Sequence, residues 1–167
     1  MQTLLISENS LKALSSMKYF SLLKEAIEAS SSLNFAKSYN LFSNALNFSN
    51  NPNTTLKIMS KMAWCQYRVG NKSESEELFL KLSNLYPDNP HGYLYFADYL
   101  IKTDRHKAAK NLLVKSISKF PNQLELYLTL ASLLKHTDRS EEAIKVLKSA
   151  LTGENLTKAR MIGKKDM

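Results

Sequence analysis

The chain has one cysteine, four glycines, four prolines and few arginines among its basic residues. With Cys65 alone, an intramolecular disulfide is excluded and a reducing compartment is expected. So few glycines and prolines leave little room for flexible linker. No apolar run approaches the roughly 20 residues needed to span a bilayer, so no transmembrane segment is expected. The first residues, Met1 to Asn9, have no basic region ahead of a very short apolar run and reach an acid at Glu8, which makes a poor secretory signal. The expected location is the cytoplasm. The 23 basic residues outnumber 15 acidic ones and leave a net charge of +8. The excess is mostly lysine rather than arginine, which is the usual instrument of bidentate phosphate and base recognition. Nucleic acid is therefore not the expected partner.

What is present is a repeat. Ala63 corresponds to Ala97, Phe79 to Leu113 and Pro87 to Pro121, each pair 34 residues apart. The same step carries Phe96 to Leu130, Ala97 to Ala131, Ala109 to Ala143 and Leu113 to Leu147. A fixed period of this length indicates stacked supersecondary units that bury a core only together.

Apolar residues within each unit recur at three- and four-residue steps, so every element is read as a helix. The spacing of Leu11, Leu14, Met17, Leu22, Leu23, Ala26 and Ile27 predicts one long helix, or two broken near Tyr19. Ser30 to Asn34 is a turn cluster, followed by a helix carrying Phe35, Tyr39, Phe42 and Ala45. Asn47 to Thr55 is the most loop-like stretch. A helix from about Asn53 to Val69 ends at Gly70, the position where a residue without Cβ adopts positive φ at low cost. Asn71 with Glu74, and Asp138 with Glu141, are placed to form capping boxes. Asp88-Asn89-Pro90 is a further helix start, and Asn122 is expected to cap the helix that follows Pro121. The last two helices run from Gln123 to His136 and from about Arg139 to Leu151. Short turns make neighbouring helices antiparallel.

These residues resemble the tetratricopeptide repeat. Its first helix carries large, apolar, small and apolar residues at set places, held here by Tyr93, Phe96, Ala97 and Leu100, and by Tyr127, Leu130, Ala131 and Leu134. Met59, Met62, Ala63 and Gln66 hold them in the unit before. Its second helix alternates small and bulky residues, as Ala109, Leu113 and Ser116 do. The resemblance implies an all-α fold, an α-solenoid (right-handed superhelix) of antiparallel helical hairpins. It implies a single domain over 1–167. A lead or N-terminal helix occupies 1–19 and a degenerate repeat 20–53. Repeats follow at 54–88, 89–122 and 123–153, with a C-terminal cap and tail at 154–167. Departures are Gln66 and Leu82 in the first clear unit, and Asp104 and Asp138 where an inter-helix glycine is usual.

The resemblance also implies a non-catalytic module or adaptor that binds a peptide or helix of a partner protein in a concave groove. The implied groove places are Lys57, Ser60, Trp64, Tyr67 and Arg68; then His91, Leu94, Asp98, Ile101 and Lys102; then Glu125, Leu128, Ser132 and Lys135. Trp64 is either a groove anchor or a packing residue. The Lys and Asn clamp of family members that hold acidic chaperone tails is absent, although the net charge admits an acidic partner. Two alternatives share the architecture: a type III secretion-type chaperone for a secreted client, and a structural scaffold subunit forming homo- or hetero-oligomers through its end faces.

Nothing in the residues suggests catalysis or a cofactor. His91, His106 and His136 lie in different places with no metal-ligand spacing. Cys65 reads as a small buried filler rather than a nucleophile. The surplus lysines, Lys107, Lys110, Lys115, Lys119, Lys145 and Lys148, read as a solvated face. Leu156, Ala159 and Ile162 are spaced for a short helix covering the last hairpin.

Overall fold

The computed structural model describes residues 8–49 and 51–151. Among these there are eight helices and no strands: α1 Glu8–Ser31, α2 Phe35–Leu46, α3 Pro52–Val69, α4 Lys72–Leu85, α5 Pro90–Lys102, α6 His106–Lys119, α7 Leu124–His136 and α8 Ser140–Ala150. This is the expected all-α, solenoid-type arrangement of hairpins. α1 is a single helix through Tyr19, which settles the alternative left open by its spacing. The expected covering helix through Leu156, Ala159 and Ile162 lies outside the described residues. Two compact units divide the chain, one reaching Leu82 and the other starting at Ser83.

The turn inside each hairpin is built the same way four times. Leu33, Gly70, Asp104 and Asp138 all have positive φ, between 57° and 96°. The amide after each reaches back to a carbonyl five residues earlier: Asn34 to Ala29 at 2.8 Å, Asn71 to Gln66 at 3.0 Å, Arg105 to Leu100 at 2.8 Å and Arg139 to Leu134 at 2.9 Å. This is the Schellman closure, which satisfies carbonyls that the helix end leaves without partners. Asp104 and Asp138 are therefore not a loss of the glycine turn. They adopt the same turn with a side chain that tolerates the left-handed region better than most.

The first unit contains α1, α2, α3 and most of α4. Its core joins Ala26 of α1, Phe42 and Ala45 of α2, and Ile58, Met62 and Cys65 of α3. A buried polar chain crosses these three helices: the Cys65 thiol points to Ser38 Oγ at 3.4 Å, and Ser38 donates to the carbonyl of Ala26 at 2.8 Å. Burial pushes the Cys65 thiol up, against smaller opposing effects of Ser38 and Lys61, which suits a structural cysteine. α3 begins at Pro52, inside the expected loop, because Asn51 Oδ1 accepts from the amides of Asn53 and Thr54 at 2.8 and 3.3 Å.

In the second unit α5 pairs with α6, α7 with α8, and α7 also packs on both α5 and α6. Ala97, Ala109 and Leu113 are fully buried, so the small positions admit close helix approach and the bulky one fills the gap between hairpins. The prolines that close two of the repeats each have a partner: Tyr93 Oη donates to the Pro87 carbonyl at 3.1 Å, and Tyr127 Oη to the Pro121 carbonyl at 2.9 Å. Those tyrosines close the inter-hairpin turns as well as filling space. One repeat further along, the position of the fully buried Leu113 is held by Leu147 of α8, which is 37% exposed.

Several expected caps differ. Asn89 does cap α5, its side chain accepting from the His91 amide at 3.0 Å. Asn71 instead turns its amide back to Gln66 Oε1 at 2.9 Å. The residues at the caps of α7 and α8 are Gln123 and Arg139, and neither side chain makes a capping hydrogen bond to the helix. Asp138 cannot serve as a cap because its backbone is committed to the left-handed turn. The expected solvated lysine face is also thinned: Lys110 pairs with Glu142 at 3.3 Å, and Lys119 reaches the Pro87 carbonyl at 2.6 Å and Asp88 at 3.4 Å.

Candidate functional site

The residues expected to line a groove fall at three separate places. On α3 most of them are engaged in structure. Ser60 is buried and donates to the Lys57 carbonyl at 2.8 Å, so it is withdrawn from any groove. Lys57 is exposed. The half-buried Trp64 ring stands edge-to-face against Tyr67 and against Phe79 of α4, each at 5.5 Å. Phe79 itself is fully buried, so part of the half-buried Trp64 ring is used in packing. Arg68 lies over the ring of Phe35, its guanidinium carbon 4.6 Å from the centroid, and that cation–π contact ties the end of α3 to the start of α2.

The second place is open. His91, Leu94 and Asp98 of α5 share one face with Tyr95, and Glu125 and Thr129 of α7 stand across from them. Together they line a recess of about 410 Å³, within the range of ligand-binding clefts. Four of its six lining residues are among the expected groove residues, drawn from consecutive repeats. They converge because a step of three or four residues keeps His91, Leu94, Tyr95 and Asp98 on one helix face, and α7 packs beside that face. His91 and Tyr95 meet edge-to-face at 6.4 Å, and Nδ1 of His91 is buried with no hydrogen-bond partner. Burial, and then the charge of Glu125, push the Tyr95 phenol up. Asp98 pairs with Lys102 at 2.8 Å, with both side chains about half exposed. The recess therefore carries two carboxylates, although the chain as a whole is basic. Ile101, half-buried, lies outside it. Tyr95 and Thr129 were absent from the expected set; their signal was the step of four from His91 and from Glu125.

The third place collects Leu128, Ser132 and Lys135 of α7 with Ile144 and Leu147 of α8, around a more apolar recess of about 430 Å³. Among the described residues, no three His, Cys, Asp or Glu side chains come together to hold a metal ion. No described helix is long and apolar enough to cross a membrane.

Solved structures with a similar fold include a crystal structure of MamA, 15% identical, covering 86% of this chain and 81% of that one with a TM-score of 0.56. Another is MamA from residue 41 to its end, from Desulfovibrio magneticus RS-1, 9% identical over 79% and 76% of the two chains, with a TM-score of 0.52. At these identities the likeness is one of fold. No curated protein sequence matches the chain. The family profile described as tetratricopeptide repeat matches residues 100–155, which run from the end of α5 through α8. The expected tetratricopeptide-repeat resemblance is thus borne out, with the sequence match on those residues and the hairpin fold in the structure.

Proposed function

We propose that the protein is a non-catalytic interaction module that holds a peptide or helical segment of a partner protein along the first helices of its repeats. The observation that carries this is the convergence of His91, Leu94, Asp98 and Glu125 on one open recess between α5 and α7. A preformed recess on packed helices imposes little ordering cost on the receptor side. Ile101, Lys102, Leu128, Ser132 and Lys135 are further candidate contacts on the same two helices, α5 and α7. The unpaired, buried Cys65 suits a cytoplasmic setting.

Affinity capture with the wild-type chain and with Leu94→Glu, followed by mass spectrometry, tests this reading. A partner retained by the wild type and lost by the variant, with the helical circular dichroism unchanged, is expected. Equal retention by both would place the binding surface elsewhere.

A scaffold role through an end face is the second reading, favoured by Leu128, Ile144 and Leu147, which are 49, 53 and 37% exposed. Light scattering across a concentration series would show growth in size if that face joins subunits, and a constant monomer mass would remove the reading.

A further inference from the structure

We infer that the recess between α5 and α7 is a seat for one basic side chain, lysine or arginine, carried by the partner's segment. The inference rests on the groove reading and adds the chemistry of its occupant. Both charged residues lining the recess are acids, Asp98 and Glu125, and neither a lysine nor an arginine lines it. This stands against the balance of the whole chain, whose net charge is +8. An acidic segment drawn by that overall charge would meet two carboxylates here, so the local field opposes the expectation of an acidic partner.

The existing compensation is weak. Lys102 reaches Asp98 from one turn along the same helix, and both side chains are about half exposed, a class of ion pair that contributes little. The hydrogen bond to the Glu125 carboxylate comes from the neutral amide of Gln123 at 3.4 Å. An incoming ammonium or guanidinium would therefore displace little.

The remaining lining suits the rest of such a side chain. Leu94 offers an apolar surface to its methylene stem. Tyr95, held edge-on to His91, offers an aromatic ring for the cation. The Tyr95 phenol, already neutral at pH 7 and pushed further up by burial and then Glu125, adds no negative charge of its own. Thr129, whose hydroxyl donates to the Glu125 carbonyl at 2.7 Å, leaves the Glu125 carboxylate for the ligand. Lysine and arginine share this chemistry, and the probes below separate them.

Three synthetic peptides of equal length, alternating leucine with lysine, with arginine or with glutamate, are titrated into the full chain. Fluorescence anisotropy reports affinity, and amide NMR shifts report the place. The lysine or arginine peptide is expected to bind, to shift the amides of Asp98, Glu125 and Thr129, and to lose roughly tenfold in affinity to the Asp98→Asn/Glu125→Gln double variant. Its binding should also weaken with salt. General attraction cannot imitate this, because a chain of charge +8 repels basic peptides. If the glutamate peptide binds as tightly at the same amides, or the double variant binds the basic peptides unchanged, the basic seat is overturned while the groove reading stands. If no peptide shifts an amide of α5 or α7, both fall.

Discussion

The expected groove positions of α3 and those of α5 have opposite fates. Trp64, Tyr67 and Arg68 break the repeat with large side chains, and each is occupied: Trp64 by Tyr67 and Phe79, Arg68 by Phe35. His91, Leu94 and Asp98 are less conspicuous in the sequence, yet they open on a recess with Glu125. A residue that departs from a repeat marks function only if packing has not already used it. The aromatic and arginine enrichment of interface hot spots points first to Trp64, but the same ring is also the best filler of a gap between helices.

The largest effect that can break this comparison comes from Trp64→Ala. If the ring is packing, its removal takes one edge-to-face contact from each of Phe79 and Tyr67 and destabilises the fold by about 3 kcal/mol, at the low end for a buried aromatic because the ring is half-buried. Leu94→Ala, at a half-buried position lining the open recess, should lose only about 1 kcal/mol. Urea midpoints followed by circular dichroism measure both. A Trp64→Ala variant as stable as Leu94→Ala would return Trp64 to the list of binding residues and erase the contrast.

The backbone turns sharpen the comparison at a smaller scale. Gly70 of the first unit and Asp104 of the second have the same role, with φ of 96° and 59°. A Cβ at residue 70 would meet no atom within 4 Å, so Gly70→Ala costs only the left-handed backbone, about 1 kcal/mol. Asp104→Gly removes that same strain and should raise stability by several tenths of a kcal/mol, less what is lost to the freer unfolded chain. Leu33, also left-handed and 68% exposed, lacks the short polar side chain that eases this conformation. Leu33→Gly is therefore expected to gain more than Asp104→Gly. Thermal unfolding of the three variants ranks them, and a loss on Leu33→Gly would show that its side chain contributes packing that its exposure conceals.

These turns also show how far the sequence could be read. The 34-residue period marked the three later hairpins, because small residues such as Ala97 and Ala109 sit where helices approach and cannot vary freely in size. The groove places implied by the resemblance included His91, Leu94, Asp98 and Glu125, which the structure brings to one recess between α5 and α7. Caps were less legible. Asn122 and Asp138 have the side chains of good caps, but the turn draws the chain one residue further, to Gln123 and Arg139. Glycine at residue 70 announced a left-handed turn, whereas aspartate at 104 and 138 reads equally well as a cap or a turn. Individual side-chain contacts were not legible. Arg68 over Phe35 joins positions in different helices, and Tyr127 bonding to the Pro121 carbonyl depends on a turn geometry that no spacing encodes. Ser60 looked like a polar groove residue, but its hydroxyl can satisfy itself on the Lys57 carbonyl one turn back, so it can be buried at low cost.

The smallest effect concerns the open recess itself. Asp98→Asn keeps the shape of the side chain and removes its pairing with Lys102, an exposed contact four residues along one helix. Such pairs contribute about 0.3–0.5 kcal/mol, and surface substitutions usually stay within about 0.5 kcal/mol. The variant should therefore unfold within about 0.5 kcal/mol of the wild type, and the remaining difference should shrink further in high salt as the pair is screened. A loss above 1 kcal/mol in urea unfolding would mean that Asp98 holds the α5–α7 packing together, and the recess would then be part of the scaffold. A near-neutral result leaves the carboxylate with no structural duty, so any change in partner affinity on Asp98→Asn can be read as loss of a direct contact rather than of the fold.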